Sequence, residues 1–114
     1  MDRLSNNEIF KKLQNAGEIS GVSVTYKTQI AYVKLLDKAL EDGNMTEDGA
    51  SLTLTVTELA EYTGISSRFM ETALKSLSQC GVIARNKVGK TVTTIFVSSF
   101  YEGQKGDNAC GNTF

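Results

Sequence analysis

The sequence contains no histidine, no tryptophan and no proline, and only two cysteines. Each absence removes a class of chemistry. Without His, and with Cys80 and Cys110 far apart in the chain, a zinc site of the usual nitrogen and sulfur type cannot be assembled. Ser–His and Cys–His nucleophile pairs are excluded within one chain. No paired-carboxylate spacing points to acid–base work, so neither an enzyme nor a cofactor is expected. Cys80 lies in an apolar helical pattern and Cys110 in a Gly/Asn-rich stretch, which does not resemble a disulfide framework. Long apolar runs are missing too. None approaches the roughly 20 residues that cross a bilayer, and Met1 to Asn7 carries no apolar core of the signal-peptide type. A cytoplasmic protein without a membrane partner is the expectation.

What remains is enough for one domain: 114 residues, 40 % of them apolar. A chain of this size buries a limited share of its surface, so a second subunit is a natural source of extra burial. The formal charge is −1, but it is unevenly spread. From Leu35 to Ile65 seven carboxylates (Asp37, Glu41, Asp42, Glu47, Asp48, Glu58, Glu61) stand against Lys38, a net of −6. From Ser66 to Thr91 five cations (Arg68, Lys75, Arg85, Lys87, Lys90) stand against Glu71, a net of +4. Attraction to phosphate depends on such a local field and not on the total.

Ser5-Asn6-Asn7-Glu8 has the capping-box pattern, and Ile9, Phe10 and Leu13 follow at helical spacing. A helix from Asn6 to Ala16 is predicted, with Gly17 as its stop. It either packs on the domain or serves as an arm toward a second subunit or DNA. Val22 and Val24 look briefly extended. A longer helix starts near Tyr26 or Thr28, with Tyr26, Ile30, Val33, Leu36 and Leu40 as its apolar stripe and Tyr32, Leu35 and Ala39 widening it. Glu41 to Ser51 reads as an acidic solvent loop. Ser51 to Val56 alternates like a strand. Thr55-Val56-Thr57-Glu58 is a second capping box, opening a helix that ends at Thr63-Gly64. Ser66 caps the next helix, Ser66 to Cys80, whose inner face carries Met70, Ala73, Leu74 and Leu77, with Gly81 closing it. Val82 to Val97 reads as a hairpin turning at Val88-Gly89-Lys90, its tip basic.

The run Thr57-Glu58-Leu59-Ala60-Glu61-Tyr62-Thr63-Gly64-Ile65-Ser66, continued by Ala73-Leu74-Lys75-Ser76-Leu77 and Gly81-Val82-Ile83, resembles the winged helix-turn-helix superfamily. The likeness is to the form common in bacterial, phage and plasmid regulators and replication proteins, and it spans roughly Thr25 to Val97. It implies an α+β fold: a three-helix core, a small antiparallel β-hairpin wing and an extra N-terminal helix. Residues 1–24 are then the helix and arm, 25–100 the winged-helix domain and 101–114 a flexible tail. It also implies that the outer side of Ser66 to Cys80 enters a major groove. On that reading the DNA-binding residues are Ser66, Ser67, Arg68, Phe69, Thr72 and Lys75 on the helix, with Arg85, Lys87, Lys90 and Thr91 in the wing. Arg68 has the guanidinium fork that matches guanine's two acceptors. Ser67 and Thr72 suit phosphate or base edges, and Lys75 suits phosphate.

Several positions keep two readings. Phe69 either meets a thymine methyl or packs inward. Glu71 repels phosphate unless it accepts from cytosine. Arg85, Lys87 and Lys90 could be an ordinary charged hairpin tip, and Arg68 a solvated surface residue. For the whole chain, the leading expectation is a sequence-specific binder of double-stranded DNA, acting as a homodimer in transcriptional control. The alternatives are a plasmid, phage or conjugative-element accessory at a replication, partition or transfer origin, and a winged-helix protein-interaction module without DNA binding. The acidic loop leaves room for a protein partner.

Overall fold

Four hydroxyl side chains set the helix starts. Ser5, Thr25, Thr55 and Ser66 take extended backbone, and each accepts from the amide three residues on, satisfying a donor that the helix itself leaves free. Ser5–Glu8 and Thr55–Glu58 close complete capping boxes. The helices so begun are α1 (Asn6–Ser20), α2 (Tyr26–Asp42), α3 (Val56–Thr63) and α4 (Ser67–Gln79) in a computed structural model that describes residues 3–102. A last short helix, α5 (Ser98–Tyr101), lies near its end. The strands are β1 (Asn44–Met45), β2 (Ala50–Thr55), β3 (Ile83–Val88) and β4 (Thr91–Phe96), all antiparallel and ordered β1-β2-β4-β3.

Register divides the sheet into two faces. Leu52 opposes Thr94, Leu54 opposes Val92 and Ile83 opposes Phe96; directly opposed residues share a face, and this one meets the helices. Behind it lies one core, built from Ile9 and Leu13 of α1, Tyr32, Leu35 and Leu36 of α2, Met70, Leu74 and Leu77 of α4, and Phe96 and Tyr101. Full burial of each such side chain stabilises by about 1.5–3 kcal/mol. The inner face of α4 is the one its spacing predicts: Met70, Ala73, Leu74 and Leu77 are all buried.

The structure corrects several local expectations. Helix α1 continues past Gly17 to Ser20, and Gly21 ends it. Gly17 is buried because Val22 and Val24 fold back onto it. A Cβ there would lie 2.7 Å from the Val22 carbonyl oxygen and 2.8 Å from a Val24 methyl. It is a contact point, and its small size is the reason a stop signal could be misread. Val22 to Val24 form no strand.

In α2 the expected face is buried at Val33 and Leu36 and at the widening residues Tyr32, Leu35 and Ala39, and it extends to Thr28, Gln29 and Ala31. Only its two ends differ: Tyr26 is 67 % and Leu40 41 % exposed. The expected acidic loop contains the short β1, paired to the start of β2. The hairpin turn is only Gly89-Lys90, since Val88 pairs with Thr91.

Tyr101, at the first position of the expected tail and read from sequence as a packing residue, is buried in the core, and its hydroxyl accepts from the Ala50 amide at 3.2 Å. The Leu4 amide donates to the Tyr101 carbonyl at 2.7 Å, Arg3 bridges to Glu102, and the Arg3 guanidinium pairs with Asp37 at 2.8 Å. Both ends of the described chain are thus tied to the core. The remainder of the expected tail, with Cys110, lies outside the described residues.

Candidate nucleic-acid interface

A single glycine fixes the angle between α3 and α4. Gly64 adopts φ 77°, left-handed backbone that costs an L side chain energy but costs glycine little, and its amide closes on Ala60 at 2.8 Å. Thr63 supports the turn from below: its hydroxyl donates to the Leu59 carbonyl at 2.9 Å and accepts from the Ile65 amide at 3.3 Å. Lys34 of α2 donates to the Thr63 carbonyl at 3.2 Å, a cation at a helix C-terminus. Ile65 plugs the angle, buried, and Ser66 accepts from Phe69 N at 3.2 Å to start α4.

The side of α4 left outward carries Ser67, Arg68, Glu71, Thr72 and Lys75, all exposed. Arg68, Thr72 and Lys75 fall on one stripe at three- and four-residue spacing. Thr72 donates to the Arg68 carbonyl at 3.3 Å, so its oxygen lone pairs stay available. Ser66 is exposed as well. Phe69 is half-buried against the core, and the Lys27 ammonium sits 5.1 Å from its ring centre. Of the two roles weighed for Phe69, packing is the one its surroundings describe.

The wing follows from β-register. Arg85 opposes Thr94 and Lys87 opposes Val92, both buried, so the two cations rise from the sheet face that looks toward the helices. Lys87 reaches Glu71 on α4 at 3.4 Å. Lys90 lies in the turn. Thr91 opposes Val88 and Thr55, which puts it on the reverse face, apart from the other candidates. A cleft of about 250 Å³ opens between the wing, α4 and the start of α3, lined by Thr55, Val56, Thr57, Glu71, Lys87, Gly89 and Lys90.

The site thus gathers residues from three elements, and sequence reading found most of them. It missed Thr57 and Lys27. Thr57 stands next to a capping box that marks a helix start, a usable signal; Lys27 reaches Phe69 only through tertiary packing. Burial holds the Cys80 thiol above its ordinary range.

No family model matches this chain, and no curated protein matches it. Solved structures do. One, described as "N-Terminal domain of DNA binding protein", superposes with a TM-score of 0.60 at 16 % identity, over 100 % of this chain and 98 % of that one. Another, described as "Structure of Rep-DNA complex", gives 0.55 at 17 % identity, over 79 % of this chain and 76 % of that one. The fold is a winged helix-turn-helix. Helices α2, α3 and α4 are its three-helix core, α4 is the second helix of the helix-turn-helix, β3 and β4 form the wing, and α1 is the additional N-terminal helix. No helix of this winged helix, among the described residues, is long and apolar enough to cross a membrane.

Proposed function

We propose that this protein binds double-stranded DNA in a sequence-specific manner, with α4 in the major groove and the wing on the flanking backbone. One observation carries the reading. Arg68 and Lys75 on α4, with Arg85 and Lys90 in the wing, are exposed cations without an ion-pair partner among the described residues. Arg68 and Lys75 stand on the outer side of α4, and Lys90 lines the cleft that α4 shares with the wing. Unpaired cations on a rigid frame suit phosphate, which rewards their neutralisation by releasing counterions. The likeness to a chain solved in complex with DNA supports the same reading.

In this proposal Arg68 reads a base edge, Ser67 and Thr72 serve base edges or phosphate, and Lys75, Arg85 and Lys90 bind phosphate. Binding is the whole activity, with no catalytic step. The protein acts in the cytoplasm as a homodimer on paired half-sites, as a transcriptional regulator. The second reading, an accessory bound at the replication, partition or transfer origin of a mobile element, differs in the arrangement of sites.

Selection from random duplexes, with sequencing of the bound pool, tests both. A palindrome supports a symmetric dimer, and direct repeats favour the origin reading. No shift of any duplex at about 50 mM salt, where phosphate contacts are strong, would overturn DNA binding in favour of a protein-interaction module.

A further inference from the structure

We propose that Glu71 is a specificity-determining residue of this surface: it holds Lys87 as an internal counter-ion and surrenders it only where a base pair offers cytosine's amino group. The inference rests on the DNA-binding reading above.

Glu71 is the only acidic residue of α4. It stands three residues after Arg68 and four before Lys75, spacings at which a glutamate pairs readily with either neighbour. It pairs with neither. Its carboxylate crosses to the wing and meets Lys87 at 3.4 Å, and the two side chains are 53 % and 50 % exposed. So exposed a pair adds little to stability, so its presence is not explained as a staple between helix and wing. Its effect on binding is direct. A carboxylate among Arg68, Lys75, Lys87 and Lys90 weakens the local positive field and occupies a lysine that phosphate would otherwise take.

On a random duplex, Glu71 meets phosphates and acceptor edges, and repels both. Guanine shows two acceptors in the major groove; adenine shows a donor beside an acceptor; cytosine shows its N4 donor with no acceptor on the same base. Cytosine is therefore the base at which one carboxylate oxygen accepts a hydrogen bond without the other facing an acceptor of that base. There Glu71 accepts from N4, Lys87 is released to the backbone, and one internal pair is exchanged for two contacts with DNA. Discrimination comes from the penalty at every other base.

The test compares the full chain with Glu71→Gln, first by fluorescence anisotropy on a pool of random duplexes at about 50 and 200 mM salt. The variant is expected to bind the pool more tightly. Its salt slope should steepen by about 0.9, for one added phosphate contact, so that the affinity lost across this salt range grows by a further factor of about 3.5. Selection and sequencing then compares motifs. The wild type is expected to enrich a cytosine at one position, and the variant to lose it, with discrimination there falling roughly 5- to 150-fold.

Both changes are required; either one alone, or neither, overturns the role given to Glu71 while leaving DNA binding intact. Failure of wild type and variant alike to bind any duplex overturns the DNA-binding reading itself. Equal thermal unfolding of the two proteins shows that folding does not enter the comparison.

Discussion

Helices α2 and α4 are both amphipathic and both packed on the same core, yet they differ in what becomes of their charges. On α2, Lys27 covers the Phe69 ring, Lys34 caps the Thr63 carbonyl, Asp37 holds Arg3, and Lys38 bonds Asp42 at 3.0 Å. The solvent side of α2 is thus largely committed within the molecule. On α4, Arg68 and Lys75 have no ion-pair partner among the described residues, and Glu71 reaches only the wing. An exposed charge says little by its exposure alone. What distinguishes a candidate interface is a group of charges for which the fold supplies no use.

The largest effects should fall on the inner sides, where the two helices are equivalent. Leu36 of α2 and Leu74 of α4 are almost completely buried, and truncating either to Ala removes packing and leaves a cavity. Each is expected to cost about 2–5 kcal/mol of unfolding free energy in denaturant titration. A loss below about 1 kcal/mol for Leu74→Ala would mean that α4 is not anchored as described.

Outer-side substitutions should then separate the helices. Arg68→Ala is expected to leave stability within about 0.5 kcal/mol but to cost roughly 1–3 kcal/mol on the selected DNA site and relax one base position. Asp37→Asn on α2 should do the reverse, lowering stability by up to about 1 kcal/mol through the loss of the Arg3 pair and leaving DNA affinity unchanged. If Asp37→Asn weakened DNA binding as much as Arg68→Ala, the contrast between the two helices would be lost.

The same contrast explains what could be read in the sequence. Spacing was decisive on α4, because Met70, Ala73, Leu74 and Leu77 pack on one side only and leave a clean stripe. On α2 it found the middle of the buried face and missed its edges. This helix packs chiefly against α1, α3, α4, β1 and β2, so its buried arc is wide enough to include Thr28 and Gln29, while Tyr26 and Leu40 lie at its margins. The capping boxes at Ser5 and Thr55 were legible because they are local hydrogen-bond patterns. Gly17 was not, since its partner segment, Val22 to Val24, reveals itself only on folding. The cationic wing was legible as composition, but which face its cations take depends on register against β4, which no local pattern states.

Inside the core, two tyrosines sharpen the comparison at a smaller scale. Tyr101 accepts from the Ala50 amide, whereas the Tyr32 hydroxyl is buried without a partner among the described residues. Tyr101→Phe orphans a buried donor and should cost about 1–3 kcal/mol; Tyr32→Phe removes an unsatisfied group and should not destabilise. Burial raises both hydroxyls above the ordinary value near 10. Both therefore stay protonated in the fold at pH values where the unfolded chain ionises. Their contribution is fully present below about pH 10 and is lost as pH rises through the raised values. Unfolding free energy measured against pH should decline above about pH 10, and less steeply in Tyr32→Phe. An equal decline in that variant would remove Tyr32 as its source.

The smallest expected effect tests the division of labour within the site. Lys90 lies in the two-residue turn at the tip of the wing, where it can approach a phosphate but has no rigid element to aim it at a base. A contact of that kind carries charge without sequence information. Lys90→Ala should therefore weaken binding to selected and random duplexes by the same factor and reduce the salt slope by about 0.9. Arg68, fixed on α4 by the leucines beneath it, should change the selected site far more than the random pool. If Lys90→Ala altered the selected motif, the wing would be reading sequence, and the fixed helix would no longer be the sole reader that the packing of α4 implies.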